Sequence, residues 1–326
     1  MPFNITATPS DLFQLTTTVI SNHRHKLNLC ITLKARAEAI DTFVVPKLMH
    51  IARHQNTTLK DLGRCQSQLL KIIFPNAKYD VKSTVLHQSK ANGGINLIYL
   101  PVRVLTAKLV DGVMVHGNNL ATENDPQMKK LLKHNNVKLE VDTQRCVLLL
   151  SNIDQGTSID LKSDFNFRKV YEFILQAKFP SIIVEERLSK SSEKYQCTTF
   201  ELKRFCKRIW KSNYLFPHEK NLFYRLAFNS IRDKQSKWLD NLVDSPTCSF
   251  CDEEFETNDH LIFECKKLET AKTKLNLKNW RDIFCKKLDL KHRFVSSVLF
   301  GSLKCTPSSS LNYIDYFLEM ESSLDI

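Results

Sequence analysis

Residues 248–265 read Cys-Ser-Phe-Cys-Asp-Glu-Glu-Phe-Glu-Thr-Asn-Asp-His-Leu-Ile-Phe-Glu-Cys. This segment carries three thiols and one imidazole in the pattern C-x2-C-x8-H-x4-C, namely Cys248, Cys251, His260 and Cys265. Zn²⁺ prefers four tetrahedral ligands of these types, and a two-residue gap lets two thiolates hold one ion from a tight turn. The pattern therefore predicts a Zn²⁺ site. The alternative is that these are small core cysteines beside a surface histidine.

The predicted zinc is structural, because no spare ligand nearby indicates an open catalytic position. Such sites contribute on the order of 10 kcal/mol of folding free energy. The few apolar residues of the segment cannot form a core of their own, so we expect residues 245–267 to collapse without metal. We expect these apolar residues to pack the zinc module onto a helix over 219–242; they are Phe250, Phe255, Leu261, Ile262 and Phe263. Phe250 could alternatively stack on a nucleic-acid base.

The composition of the whole chain favours helices. Its 326 residues include only 7 Gly, whereas average usage would give about 20. Gly-rich β-sandwich, propeller and dinucleotide-binding folds are therefore disfavoured, and we predict a mainly α fold with little β. Hydrophobic spacing places a helix from Ser10 and a strand over 146–150. It also places helices over 33–53 (interrupted at Pro46), 58–74, 101–116, 126–134, 165–178, 199–211, 219–242, 267–276 and 280–303. Thr58 and Asp61 are spaced as a capping pair at the start of the helix over 58–74, and the polar, turn-rich residues 152–164 are the best linker candidate.

Charge is unevenly distributed along the chain, whose formal net charge is +12. Residues 1–100 and residues 190–240 each carry 12 basic and 5 acidic side chains, a net +7 in each block. Two basic blocks favour a polyanionic partner, RNA or DNA. The strongest candidate for phosphate contacts is a basic helix face formed by Lys203, Arg204, Lys207, Arg208 and Lys211, with Phe200, Phe205 and Ile209 on the opposite, apolar face. The alternative is an ordinary solvated helix face.

The expected cellular setting is intracellular. The ten Cys are scattered without a disulfide pattern, residues 1–7 have no signal-peptide character, and no apolar run reaches the roughly 18 residues of a membrane helix. We therefore expect a protein that is not secreted, has no membrane partner, and lies in the nucleus or cytoplasm, with the nucleus favoured.

The zinc pattern resembles the segment downstream of the reverse transcriptase in non-LTR (LINE-type) retrotransposons, in which Glu256-Thr257 precede His260-Leu261-Ile262-Phe263. The stretch Leu222–Asn229 is similar to the helix before that segment. A second resemblance, to the thumb and post-thumb region of the same family, covers about 10–117. Its motifs occur in the family's order: Ala35-Arg36-Ala37, Val44–Arg53, Lys71–Phe74 and Gly93-Gly94-Ile95-Asn96-Leu97.

The resemblance, the charge distribution and the Pro- and Ser-containing end of the chain together predict four parts: a thumb-like helical region over 1–117, a connecting region over 118–196, basic helices with the zinc-binding domain over 197–303, and a flexible tail over 304–326. The resemblance also implies that the thumb-like part grips a primer–template duplex, while the zinc knuckle with its basic helix holds RNA or target DNA. A separate polymerase portion would then be a partner.

Polymerase activity is not expected. Nucleotidyl transfer needs paired aspartates to hold two metal ions, and the chain contains no Asp-Asp dipeptide. The sequence thus predicts no catalytic residues and a non-catalytic, nucleic-acid-binding fragment of a LINE-type reverse transcriptase. The alternative is a zinc-stabilised helical scaffold, derived from such an element, that binds proteins.

Overall fold

The computed structural model describes residues 9–30, 32–53, 57–74, 81–116, 126–141, 146–151, 158–161 and 166–304. It is mainly helical with one small sheet, which confirms the predicted fold class. The chain forms two compact units, residues 1–184 and 185–326. The predicted flexible tail, 304–326, lies outside the described residues from 305 onward, and the four-part division stays a prediction.

Unit 1 begins with a helical layer in which α1 (Pro9–Leu29) packs on α4 (Leu59–Ile73), and α4 on α6 (Leu100–His116). Each of these helices buries apolar side chains, such as Leu12, Leu69 and Leu105. Its helices are α1 (Pro9–Leu29), α2 (Leu33–Ala39), α3 (Val45–Ala52), α4 (Leu59–Ile73), α5 (Ser83–Leu86), α6 (Leu100–His116), α7 (Pro126–His134) and α8 (Phe167–Lys178).

Two sequence signals for helix boundaries in this layer are confirmed. The predicted interruption near Pro46 is a π-helical turn, Ile40–Val44, directly before α3. The turn accommodates a proline, which has no N–H to continue the α-helical ladder. The Thr58–Asp61 pair forms a capping box, in which each side chain satisfies a backbone N–H of the first turn of α4.

The only double glycine of the sequence is Gly93-Gly94, and at each of the two positions a side chain would be sterically unfavourable. Gly93 has φ of 87°, in the left-handed region that residues with a Cβ rarely occupy. Gly94 has ordinary φ but a close neighbour, because a Cβ there would meet the Gln88 carbonyl oxygen at 2.0 Å. The pair brings the extended segment after it against Leu86 and Gln88, whose carbonyls accept from Leu97 N and Asn96 N.

The predicted strand over 146–150 is confirmed as β2 (Cys146–Leu150), the central strand of a three-stranded antiparallel sheet. Its neighbours β1 (Val137–Val141) and β3 (Ser158–Asp160) were not predicted. Residues 152–164 were expected to be a linker, and within the described part β3 shows that expectation to be wrong. β1 pairs with β2 from Val137↔Leu150 to Val141↔Cys146.

Unit 2 contains the basic helix and the zinc-ligand segment, and all its residues from 185 to 304 are described. The helix α9 (Ser181–Tyr195), which spans the unit boundary, was not predicted, whereas α10 (Thr199–Lys211) has the predicted bounds. The remaining helices are α11 (Pro217–Ala227), α12 (Lys234–Leu239), α13 (Glu269–Lys274), α14 (Trp280–Phe284) and α15 (Leu290–Lys304).

Two long helices predicted in unit 2 are wrong, because each is broken. The predicted helix over 219–242 ends at Ala227, Asn229 turns the chain with φ of 47°, and Asp233 caps α12. Leu239 and Leu242, which continued its apolar stripe, are exposed. The predicted helix over 280–303 is α14 and α15 with a break between them. None of the described helices has the length and apolarity needed to cross a bilayer.

Candidate metal centre and basic helix

The first two cysteines lie on a tight turn closed by backbone hydrogen bonds. Cys248 N donates to Glu254 O (2.7 Å), and Asp252 N donates to Cys248 O (3.0 Å). Asp252 completes the turn at φ of 59°, a left-handed conformation that Asp tolerates better than most residues. The Phe250 N–H points at the Cys248 sulfur, 3.4 Å away. The turn therefore presents the Cys248 and Cys251 sulfurs to one side.

His260 and Cys265 lie at the two ends of a single π-helical turn, His260–Glu264. Thr257 Oγ1 accepts from His260 N (2.9 Å) at the start of the turn. At its end Cys265 N donates to His260 O (2.7 Å), a five-residue step that a regular α-helix does not make. The wide turn brings the imidazole and the sulfur to the same side of the segment, as the x4 spacing predicts.

The four predicted ligands converge. One ligand atom from each of Cys248, Cys251, His260 and Cys265 lies within 4.8 Å of the others. The Cys248 and Cys265 sulfurs are 3.9 Å apart, and the Cys251 sulfur is 3.4 Å from His260 Nε2. A tetrahedral ion with bonds of about 2.3 Å to sulfur and 2.0 Å to nitrogen would impose about 3.8 Å and 3.5 Å. The cluster could thus hold a metal ion with little movement.

Two of the sulfurs are close enough to share a hydrogen bond, those of Cys248 and Cys265. Their contact raises the pKa of Cys248 and lowers the pKa of Cys265; burial further raises that of Cys248. Cys265 is therefore the more readily ionised of the two. Metal ions bind thiolates, so occupation of the cluster would displace the remaining thiol protons.

A carboxylate outside the sulfur cluster lies beside the imidazole of His260. Its Nε2 faces Cys251, while its Nδ1 lies 3.2 Å from Glu254 Oε2, although outside hydrogen-bonding geometry. A carboxylate on the second ring nitrogen is a common partner of metal-bound histidine. Glu254, His260 and Glu264 also converge as a second set of possible ligands. Both carboxylates are exposed and share the histidine, so the thiol set is the stronger cage.

Surrounding residues fix the knuckle, residues 245–267, on unit 2. Phe250 is buried, which favours core packing over base stacking, whereas Phe255 is 56% exposed and does not pack as expected. Phe263 meets the Trp280 ring edge-on at 5.0 Å, and Trp280 Nε1 donates to Asp259 Oδ1 (2.5 Å). The knuckle therefore packs against α14 as well as the segment between α11 and α12.

A buried lysine holds the end of the π-helical turn. Lys272 is 4% exposed, and its Nζ donates to Phe263 O (2.8 Å) and pairs with Glu269 Oε2 (2.7 Å). A cation at the C-terminal carbonyls of a helical turn is electrostatically favourable. Lys272 therefore stabilises the turn that ends at Cys265.

The basic helix α10 divides its five cations between two roles. Lys203 pairs with Glu185 (2.9 Å). Arg208 donates to the carbonyls of Phe284 and Lys286, each at 2.7 Å, and so closes the end of α14. Side chains at 204, 207 and 211 are exposed, and none of them forms an ion pair within the described part of the chain. We call these three residues, Arg204, Lys207 and Lys211, the cationic stripe.

Sequence reasoning missed Glu254, Lys272 and Trp280 as supports of the candidate centre. Glu254 is one of six acidic residues between Cys248 and Cys265, and spacing alone does not single it out. Lys272 and Trp280 reach the knuckle only through tertiary packing. Asn279, directly before Trp280, could have marked the start of a helix. It gives no indication that Trp280 contacts Asp259.

Comparison of the chain with models of known families, with curated proteins and with solved structures finds no match.

Proposed function

We propose that this chain is a non-catalytic, nucleic-acid-binding region of a LINE-type retrotransposon reverse transcriptase, stabilised by a structural Zn²⁺. The observation that carries the proposal is the cationic stripe, three exposed like charges on one face of a rigid helix in the same unit as a Cys₃His cluster. The order of the thumb-like and knuckle motifs supports the family. A polymerase portion, RNA or target DNA, and a nuclear location follow from that resemblance.

Zinc is the metal that the donor set favours. Three thiolates and one imidazole in a closed tetrahedron are typical of structural Zn²⁺ sites. Cys248, Cys251, His260 and Cys265 would hold the ion, and Glu254 would orient His260. When bound, the ion supplies folding free energy to a segment with a small core. It leaves no ligand position for a substrate.

The knuckle itself is a poor surface for phosphates. Between Cys248 and Cys265 the chain has six acidic residues and no Lys or Arg. Three thiolates around a divalent ion would add a further net negative charge. We therefore assign the nucleic-acid contact to α10, and assign to the knuckle the task of stabilising the unit that carries α10.

Charge reversal of the cationic stripe tests the proposal. Three phosphate contacts to a single strand give a slope of about −2 for log K against log salt concentration. Replacement of Arg204, Lys207 and Lys211 by Glu should abolish binding of a labelled RNA or DNA oligonucleotide and the salt dependence with it. The control replaces three exposed lysines of the same unit, Lys267, Lys274 and Lys278, by Glu.

The control variant has the same change of net charge, and it should bind nearly as well as the wild type. Equal losses in the two variants would mean that only overall charge matters. An unmeasurable affinity of the wild-type chain at low salt, or a flat salt response, would contradict the proposal.

A protein-binding scaffold is the second candidate, and two exposed aromatic residues favour it. Phe255 in the knuckle is 56% exposed, and Trp238 in α12 is 41% exposed. Exposed aromatic residues together with acidic ones suit a basic protein partner better than a nucleic acid. In that case reversal of the cationic stripe would be tolerated, and oligonucleotide binding would be weak at low salt.

A further inference from the structure

An aromatic ring extends the cationic stripe at the N-terminal end of α10. The sequence places Phe200 on the apolar face with Phe205 and Ile209, and the structure shows this to be wrong. Phe205 and Ile209 are fully buried, whereas Phe200 is 70% exposed. A single exposed Phe needs no explanation by itself. Its position beside the cationic stripe does require an explanation.

Phe200 and the cationic stripe share one face of the helix. Positions 200, 204, 207 and 211 follow each other at steps of four, three and four, which keeps them within a narrow arc. At 1.5 Å per residue they form a row about 16 Å long. The opposite face carries the buried residues Leu202, Phe205, Cys206 and Ile209.

The helix end that carries Phe200 is structurally fixed. Thr198 and Glu201 form a capping box, in which Glu201 Oε2 accepts from Thr198 N (2.7 Å) and Thr198 Oγ1 accepts from Glu201 N (3.2 Å). The glutamate is thereby directed toward the cap rather than toward the exposed row. The ring therefore projects from an ordered turn, which lowers the entropy lost on stacking against a ligand.

We infer that α10 binds unpaired rather than duplex nucleic acid, with Phe200 stacking on one base while Arg204, Lys207 and Lys211 contact successive phosphates. This inference rests on the proposed function and names its substrate class. In a duplex the base faces are covered by their neighbours, whereas a single strand can turn a base onto an aromatic ring. Aromatic rings combined with a cationic row are the usual means of binding single strands without sequence preference.

The experiment measures the affinity of the full-length chain for a short mixed-sequence oligonucleotide, single-stranded and as a duplex, by fluorescence anisotropy. Phe200→Ala should weaken single-strand binding by about 5- to 160-fold, the range for loss of one stacked base. Duplex binding should change little. RNA and DNA single strands should show the same loss, because stacking requires only the base face.

Two further variants test whether the loss of affinity is due to the aromatic ring at position 200. Phe200→Trp should keep the affinity, and its added indole fluorescence should be quenched when the single strand binds. Phe255→Ala, which removes an exposed ring from the acidic knuckle, should leave both affinities unchanged. Since Phe200 is exposed, its replacement should leave the helical circular dichroism of the chain unaltered.

The outcomes separate the inference from the function on which it rests. If Phe200→Ala leaves single-strand affinity unchanged, or lowers single-strand and duplex affinity equally, while reversal of the cationic stripe still abolishes binding, the stacking inference is wrong and nucleic-acid binding stands. If reversal of the cationic stripe also has no effect, the proposed function fails.

Discussion

Glu254 lies beside the outward-facing ring nitrogen of His260. Its carboxylate lies 3.2 Å from the imidazole Nδ1, the nitrogen that faces away from the cysteine sulfurs. Glu254 itself is largely exposed, so solvent screens part of its charge. Its contribution should therefore be to position the imidazole rather than to bind the ion directly.

The Glu254→Gln variant should bind zinc about tenfold more weakly, at the lower end of the effect of such supporting residues. The measurement is a competition titration with a chromophoric zinc chelator. Glu253→Gln is the matched control, because Glu253 is the adjacent acidic residue and its recorded partner is Lys266 rather than a ligand. Equal affinities of the two variants would show that Glu254 has no special role.

Arg208 shows how one helix can carry both structural and exposed cations. Its guanidinium holds two carbonyls at the end of α14, whereas the neighbouring Lys207 is exposed. Arg208→Ala should lower the free energy of unfolding by about 1–2 kcal/mol, because two charge-assisted hydrogen bonds are lost from a partly exposed site.

Lys207→Ala should change stability by less than about 0.5 kcal/mol and instead reduce oligonucleotide affinity. Chemical denaturation of each variant, together with anisotropy, measures both quantities. A stability loss in Lys207→Ala, with none in Arg208→Ala, would contradict the assignment of roles within α10.

The turn at Gly93-Gly94 makes a prediction at the scale of an element. Gly94→Ala should destabilise unit 1 by at least about 2 kcal/mol, because the new Cβ would meet the Gln88 carbonyl oxygen and the backbone would have to move. Gly63→Ala is the control. Gly63 lies within α4 and a Cβ there meets nothing within 4 Å, so alanine should stabilise the helix by up to about 1 kcal/mol.

The two unfolding curves should therefore shift in opposite directions. Equal shifts would mean that the contact at Gly94 is relieved by a small local adjustment.

Local signals in the sequence predicted those elements whose boundaries are set by local chemistry. The capping box at Thr58, the break at Pro46 and the bounds of α10 are examples, since each depends on residues within one helical turn. Hydrophobic periodicity was misleading where tertiary contacts decide. The stripe over 219–242 continues through Leu239 and Leu242, yet the chain breaks before them and leaves both exposed.

The sheet was only partly predictable. β2 is a run of apolar residues and stands out, whereas β1 alternates polar and apolar residues and β3 has three residues. Pairing between strands depends on residues distant in the chain, which periodicity does not report. The exposure of Phe200, in contrast, agrees with helical spacing, because Phe200 lies four residues before Arg204 and five before Phe205; grouping it with the apolar face overlooked this.

At the scale of the whole molecule, the candidate centre was predictable in its ligands but not in its supports. Four ligands of two types at a fixed spacing, Cys248, Cys251, His260 and Cys265, define the pattern, and the structure brings the four together. Lys272 and Trp280 reach the knuckle from outside that pattern. The distribution of charge was likewise predictable only in part. Residue counts indicate a basic block, but only the fold shows which of its cations remain exposed.

The central claim is that the Cys₃His cluster holds one zinc ion, and native mass spectrometry of the purified chain with Cys265→Ser and Cys30→Ser variants tests it most directly. Cys30 lies in unit 1, is not one of the four candidate ligands, and its Sγ donates to Lys26 O (3.4 Å). The expected result is one zinc per chain in the wild type and in Cys30→Ser, and loss of the ion in Cys265→Ser. A wild-type chain that carries no zinc when prepared with zinc present, or a Cys265→Ser variant that retains it as tightly, would contradict the account.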